Sequence, residues 1–419
     1  MTYSELGRRA DQRLAALAAC SDDAERLTRL YLGPAHRRAA DLMAGWMAEA
    51  GLTVAIDALG TVRGLRAADR PGPLAGKRLL IGSHIDTVVN AGRYDGMLGV
   101  VAGLIAIEEL RARAVRLPFA IELLAFGDEE GVRFPTTLAS SSAVAGTLTA
   151  DVFAVADGDG MRLGEALRRF GCDPERFAAA ALRRDEVLGY IEVHIEQGPV
   201  LETEGLPLGV VTSIAGQSRF NIEIGGEAGH AGTVPMALRR DALAGAAAMM
   251  TAIETIGRAG AADQLVATVG RLAVAPGAVN VVPNGVRMTL DVRAASDAPR
   301  FAAIAAIKTA CAAIAVERGL TFAMERYHDS PTTPCAARWQ AALAEAVASL
   351  DLPVRRLTSG AGHDGHALKA LTDIGMLFVR CRGGISHNPA EFASALDMGL
   401  AVEALIRTIV ASAATAAAA

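Results

Sequence analysis

Short apolar runs alternate with longer stretches of helical periodicity along most of the chain. Residues 4–50 carry the 3.6-residue apolar spacing of helices and end at Ala50–Gly51, a glycine stop. From there to about residue 212 the pattern predicts a strand near 78–83, a helix over 97–113, a strand over 119–126, a helix over 161–170 and a strand over 190–195. Such alternation reads as a parallel or mixed sheet covered by helices. Between Gln217 and Asp329 the rhythm changes. Strand Arg219–Ile224, helix Arg239–Ile256, strands Leu265–Val274 and Val286–Val292, helix Arg300–Arg318 and strand Thr321–Tyr327 follow in turn. The order β-α-β-β-α-β is that of a ferredoxin-like sandwich. The expectation is an α/β protein of two domains, with 1–215 and 330–419 forming one and 216–329 inserted as the other. Residues 334–405 return to the helix–strand pattern, and the alanine-rich tail 411–419 reads as frayed.

Composition narrows this picture. A chain of 419 residues exceeds what one hydrophobic core usually supports. Its net charge of −5 comes without a basic stripe, which argues against a nucleic-acid partner. No apolar run approaches the ~20 residues that span a bilayer, and Ala242–Ile253, the longest candidate, is bracketed by charges. The N-terminus has no apolar signal core, so the location expected is cytoplasmic. Five cysteines without C-x-x-C spacing read as reduced thiols, and Cys381 as a packing residue in a strand.

Chemistry concentrates at strand ends. His84, Asp95, Glu130, His194 and His387 each lie at or just beyond an apolar strand-like run. In open α/β sheets ligands bind outside the carboxyl ends of strands, so residues from distant strands can converge. Two imidazole-containing half-sites sharing a carboxylate suit two divalent ions. Locally each residue has a plainer reading as well. Asp86, two residues after His84, could hold its second ring nitrogen or simply cap a strand end. Asp95 could be a turn former. Asp128-Glu129-Glu130 could be a solvated acidic turn or a cluster needing a cation. His194 and His387 could be hydrogen-bonded structural histidines. His36 and His328 read as structural. For His363 and His366, substrate contact and a place at a helix N-terminus both stay open.

The ordered motifs decide more than any one residue. His84-x-Asp86, Asp95-Gly96, Glu129-Glu130-Gly131, His194-Ile-Glu-Gln-Gly198 and Ser386-His387 resemble those of the aminoacylase/carboxypeptidase-like di-metal amidohydrolases. Within that family the chain is similar to the branch of allantoate amidohydrolases, N-carbamoyl-L-amino acid hydrolases and β-ureidopropionases. The matches are Glu130-Gly-Val-Arg-Phe134, Ala228-Gly-His230, Asn280-Val-Val-Pro283, Asp291-Val-Arg293 and Ser359-Gly-Ala-Gly-His-Asp364. The resemblance implies that His84 and His194 hold one ion, Glu130 and His387 the other, and that Asp95 bridges, with zinc or manganese expected. It makes Glu129 the general base, gives His230 the task of polarising the scissile carbonyl, and assigns substrate binding to Gln197, Arg219, Asn280, Arg293 and Gly360. It further implies a homodimer formed through the inserted domain, which would act as a lid hinged near 213–217 and 328–332.

The reaction so implied is hydrolysis of a ureido C–N bond beside a carboxylate. Allantoate is the first choice and an N-carbamoyl-L-amino acid or β-ureidopropionate the second. A dipeptidase or N-deacylase, and a metal-free binding module, are more distant alternatives. Asp128, Ser140-Ser-Ser142 and Gly365 depart from the branch's wording, which touches the side-chain pocket rather than any ligand or the base.

Overall fold

The computed structural model describes residues 2–418 and has a mixed α/β architecture with several sheets. The chain divides into two compact units. The first comprises residues up to Thr212, Cys335–Leu357 and the chain from Ala361 onward; the second comprises Ser213–Pro334 and Thr358–Gly360.

At the centre of the first unit four parallel strands lie side by side in the order Ala120–Phe126, Arg78–His84, Val187–Ile195, Ile374–Val379. These are near-continuous buried runs, as strands covered on both faces must be. Being parallel, they bring four carboxyl ends to one edge. The register pairs His84 with Phe126 and Phe378 with His194.

Antiparallel elements extend the sheet at both sides, with the hairpin Thr53–Ile56/Val62–Arg66 at one and Leu208–Ile214 at the other. The pattern reading passes over these strands because Val62-Arg-Gly-Leu-Arg66 is interrupted by arginines and Leu208–Ile214 by glycine and hydroxyl residues.

Helix Met97–Ala112 is buried nearly all round and packs against the strands at the centre of the core. It also meets the terminal helices Tyr3–Ala18 and Ala395–Ala418. Those two cross closely because Gly7 and Gly399 lack side chains: a Cβ on Gly399 would stand 1.8 Å from the Tyr3 carbonyl oxygen. Thr2 and Glu5 form a reciprocal capping box at the start of the first helix. The alanine tail, expected to fray, instead continues the last helix to Ala418, with Ala413 buried; residue 419 lies outside the described residues. The five cysteines are all free, and Cys381 sits in the loop beyond strand Ile374–Val379 rather than within it.

In the second unit an antiparallel sheet runs in the order Thr321–Ser330, Gly216–Gly225, Gly285–Ala294, Val266–Ala275. Helices Ala242–Ala259 and Asp297–Glu317 pack on it through Ala242, Ala246, Met249 and Ile253, and through Ala303, Ile307, Cys311 and Ala315. The 21-residue helix Asp297–Glu317, with a mean hydropathy of 1.5, is long and apolar enough by length and composition alone to cross a membrane. Reading uninterrupted runs missed it because Lys308 and Thr309 divide an alanine-rich segment.

His36, read as structural, is fully buried. The Leu32 N–H donates to its Nδ1 at 3.1 Å, and its ring stacks on Phe170 at 5.1 Å. Nδ1 must therefore stay unprotonated, and burial, reinforced by Arg29, Arg37 and Arg133 against Asp86, pushes its pKa down to about 4. A histidine depressed in the fold binds fewer protons than in the unfolded chain, so its contribution is present above pH ~6.5 and is lost as pH falls towards ~4, about 3 kcal/mol in all. In His36→Phe, the stability lost between pH 7 and pH 5 should be about 2 kcal/mol smaller than in the native chain. Urea unfolding at both pH values measures this, and equal losses would refute it.

Candidate metal centre

Beyond the carboxyl ends of the parallel strands, side chains from well-separated parts of the first unit meet. His84 ends its strand, and Asp95 follows on the loop into helix Met97–Ala112. Glu129 and Glu130 lie just past Phe126, His194 near the end of its strand, and His387 on the loop after Val379. Three groups could each hold an ion, their donor atoms all within 4.8 Å of one another: His84, Asp95 and His194; Asp95, Glu130 and His387; and His84, Glu129 and Glu130.

Asp95 joins the first two groups. Its Oδ1 lies 3.5 Å from His84 Nε2 and 3.2 Å from His194 Nε2, while its Oδ2 lies 3.4 Å from His387 Nε2. His387 Nε2 is also 3.5 Å from Glu130 Oε2. His84 and His194 are buried, whereas His387 is half exposed.

The imidazoles are oriented from behind. His84 Nδ1 stands 3.1 Å from the Asp86 carbonyl oxygen and His194 Nδ1 2.9 Å from that of Ile195, so each Nδ1–H donates to backbone. Nε2 is then the lone-pair nitrogen turned to the cluster, and the Gly96 N–H donating to His194 Nε2 at 3.2 Å agrees. Asp86 steadies the opposite side. Its Oδ1 and Oδ2 accept from the Glu129 and Glu130 N–H groups, each at 3.3 Å, while Oδ1 faces His84 Nδ1 at 3.5 Å. Gly96 is required here. It has φ 68°, and a Cβ would come within 2.4 Å of the His84 ring.

Too many acids share this space. Burial raises Glu129 well above the usual carboxylate range, with Glu130 and Asp364 adding to the effect against His84. Burial and the charge of Asp95 push Glu130 up to about 8. For His84, burial opposes the charged ring, but Asp86, Asp95 and Glu129 outweigh it and lift its pKa. A proton on His84 Nε2 is what a divalent ion replaces, so the raised histidine and the lone-pair geometry describe one feature: a pocket of negative potential lined by nitrogen and oxygen donors. Gln197 strengthens the fit. Its Nε2 donates to Asp95 Oδ2 at 2.8 Å, while its buried Oε1 has no hydrogen-bond partner. The donor set suits divalent transition ions.

The remaining sequence-derived residues belong to the second unit. Arg219 Nε donates to Asp291 Oδ2 at 3.1 Å and Arg293 Nε to Asp291 Oδ1 at 2.9 Å; Arg293 Nη1 also reaches the Gly360 carbonyl at 2.5 Å. His230 and Asn280 flank a two-strand ladder that pairs His230 with Val281. The Gly232 N–H donates to His230 Nδ1 at 3.1 Å, leaving Nε2–H as an exposed donor.

Several contacts at the cluster were not read from the sequence, which gave Glu192 no role and left His363 between substrate contact and a helix N-terminus. Glu192 is buried, accepts from Ser83 Oγ at 2.8 Å, and forms a further potential ligand group with His194 and His363. His363 is buried against the His194 ring, centroids 4.5 Å apart. A carboxylate inside the apolar run Tyr190-Ile-Glu-Val-His194, on the same strand face as His194, was the available signal. Ser386 and Glu391 stand on either side of His387 in a loop without periodicity; Ser386 was visible only within the Ser386-His387 motif, and Glu391 carried no local signal.

Imidazoles and carboxylates converging at the carboxyl edge of a parallel sheet form a donor set of the kind that metal-dependent hydrolases use. Residues 80–411 match the model of Peptidase family M20/M25/M40. The chain is 40% identical to an allantoate deiminase of Arabidopsis thaliana across 94% of its length and 80% of that protein's. It is also 40% identical to an N-carbamoyl-L-amino acid amidohydrolase of Geobacillus stearothermophilus, over 91% and 92% of the two chains. A hydantoinase/carbamoylase family amidase from Burkholderia multivorans superposes with a TM-score of 0.90 at 33% identity, covering 97% of this chain and 98% of its own. The chain belongs to the M20/M25/M40 family and is a hydrolase acting on C–N bonds.

Proposed function

We propose that the enzyme cleaves a ureido C–N bond next to a carboxylate, with allantoate as substrate: allantoate and water give ureidoglycine (or its breakdown product), ammonia and carbon dioxide. The observation that carries the reading is Asp95, whose two oxygens face imidazoles of different half-sites. The allantoate deiminase relative supports the substrate. An N-carbamoyl-L-amino acid is the second reading, favoured by the equally similar Geobacillus enzyme.

In this reading His84 and His194 hold one ion, Glu130 and His387 the other, with Asp95 shared, and zinc or manganese is the expected metal. Ions held there would supply Lewis acidity, which generally lowers the pKa of water from 15.7 to about 7. Glu129, 3.8 Å from His84 Nε2, takes the proton of the attacking water and delivers it to the departing nitrogen. His230 Nε2–H donates to the carbonyl oxygen as negative charge develops, a contribution of ~10²–10³ in rate on oxyanion-hole precedent. Arg219 and Arg293, aligned by Asp291, bind the substrate carboxylate through paired charge-assisted bonds. Gln197, Asn280 and Gly360 bind the rest of the substrate.

The second unit serves as a ferredoxin-like lid and as the dimer interface of a cytoplasmic homodimer. Its β-α-β-β-α-β order and its exposed edge strand Val266–Ala275 support that role.

Three measurements test this reading. Chelated enzyme reloaded with zinc or manganese should release ammonia from allantoate faster than from N-carbamoyl-L-amino acids; turnover of the carbamoyl compounds alone would make the second reading the right one. Glu129→Gln should retain its metal while kcat falls by ~10²–10⁴, and near-native turnover would remove Glu129 from the base role. Sedimentation equilibrium should give twice the chain mass, and a monomer at micromolar concentration would exclude the dimer.

A further inference from the structure

His387 differs from its partners in how it is held. His84 and His194 are buried on strands, whereas His387 is half exposed on a loop with φ 54°. What keeps such a side chain at a fixed distance from Asp95 must come from ties outside the sheet, and the structure has one.

Glu391 is buried and uses both carboxylate oxygens. Its Oε1 accepts from the N–H of Tyr94 at 2.7 Å and of Asp95 at 3.1 Å. Its Oε2 lies 3.2 Å from Ser386 Oγ, and that hydroxyl stands 2.6 Å from Asp95 Oδ2. A side chain four residues after His387 thereby holds the backbone of the shared carboxylate and the residue that precedes His387. The close packing of Glu391 on Gly92, where a Cβ would meet it at 2.3 Å, fixes the same contact sterically.

We propose that Glu391 is a positioning residue that locks the His387 loop to the Asp95 loop and so sets the geometry of the half-site made by Asp95, Glu130 and His387. The inference rests on the two-ion reading above. It is selective, because His84 and His194 take their positions from strands and from the backbone carbonyls behind them. Outer groups that orient metal ligands typically contribute 10–100-fold in affinity. What matters is acceptor geometry at Oε1 and contact at Oε2. Glutamine preserves both, since its carbonyl oxygen can accept from the two amides and its amide can donate to Ser386.

The test is zinc titration of chelated full-length protein by calorimetry, for the native chain, Glu391→Ala, Glu391→Gln and Ser386→Ala. Glu391→Ala should weaken one of two binding events by 10–100-fold and leave the other within about threefold. Glu391→Gln should restore most of the affinity, and Ser386→Ala, which removes only the hydroxyl, should produce a smaller shift in the same event. Two equally tight events in Glu391→Ala would overturn the inference and leave the two-ion reading intact. So would parallel weakening of both events, or glutamine behaving like alanine. A native chain that takes up a single ion overturns the two-ion reading and this inference with it. If Glu391→Ala fails to fold, Ser386→Ala decides: no change in either event overturns the inference.

Discussion

Asp95 is almost fully buried, and imidazoles approach it from both of its oxygens. A carboxylate removed from water is costly unless charge or hydrogen bonds compensate it. Here the compensation comes from five groups on three separate segments of the first unit: His84, His194 with the Gln197 amide, and His387 with the Ser386 hydroxyl. Burial alone would raise the Asp95 pKa, yet the two buried imidazoles hold it well below the ordinary range. The carboxylate stays ionised in a place where most would not, and the surrounding loops are arranged around that charge.

The parallel sheet makes the arrangement affordable. Strands 78–84, 120–126, 187–195 and 374–379 deliver their ends to one edge, so the loops that follow them need travel only a short way to meet. The excess of acid is then concentrated rather than dispersed. Glu129 and Glu130 sit beside Asp86 and Asp95, and burial together with these neighbouring acids raises their proton affinities.

How much of this could be read beforehand depended on which physical signal each residue left. The four central strands are buried on both faces and give unbroken apolar runs; a polar side chain at the end of such a run stands out where hydrophobicity stops. His84, Glu130 and His194 were legible for that reason, and Asp95 from its glycine-flanked turn. The antiparallel hairpin Thr53–Ile56/Val62–Arg66 left a weak trace, because half-buried strands carrying arginine and glycine dilute the alternation. Helix Asp297–Glu317 was legible as a helix, yet its apolar character escaped because alanine contributes hydropathy without forming a recognisable core stripe. Ser386 and Glu391 left no periodic trace at all. Their importance lies in contacts spanning nearly 300 residues of sequence, such as Glu391 with the amides of Tyr94 and Asp95.

The same logic separates chemistry from recognition. In the first unit most of the clustered groups are buried, His387 excepted, and they share neighbours, so a change at one alters the ionisation of the rest. In the second unit Arg219 is half exposed, and it and Arg293 are ordered by one anchor: Asp291 accepts from Gln217 Nε2 at 2.6 Å as well as from the two arginines. Arginine forks already aligned on a carboxylate lose less conformational freedom when a ligand carboxylate arrives. Because this anchoring is local to one sheet face, residues around Arg219 and Arg293 can change without disturbing Asp95. The acid-rich cluster of the first unit and the arginine pair of the second are thus held by separate sets of contacts, each ordered without the other.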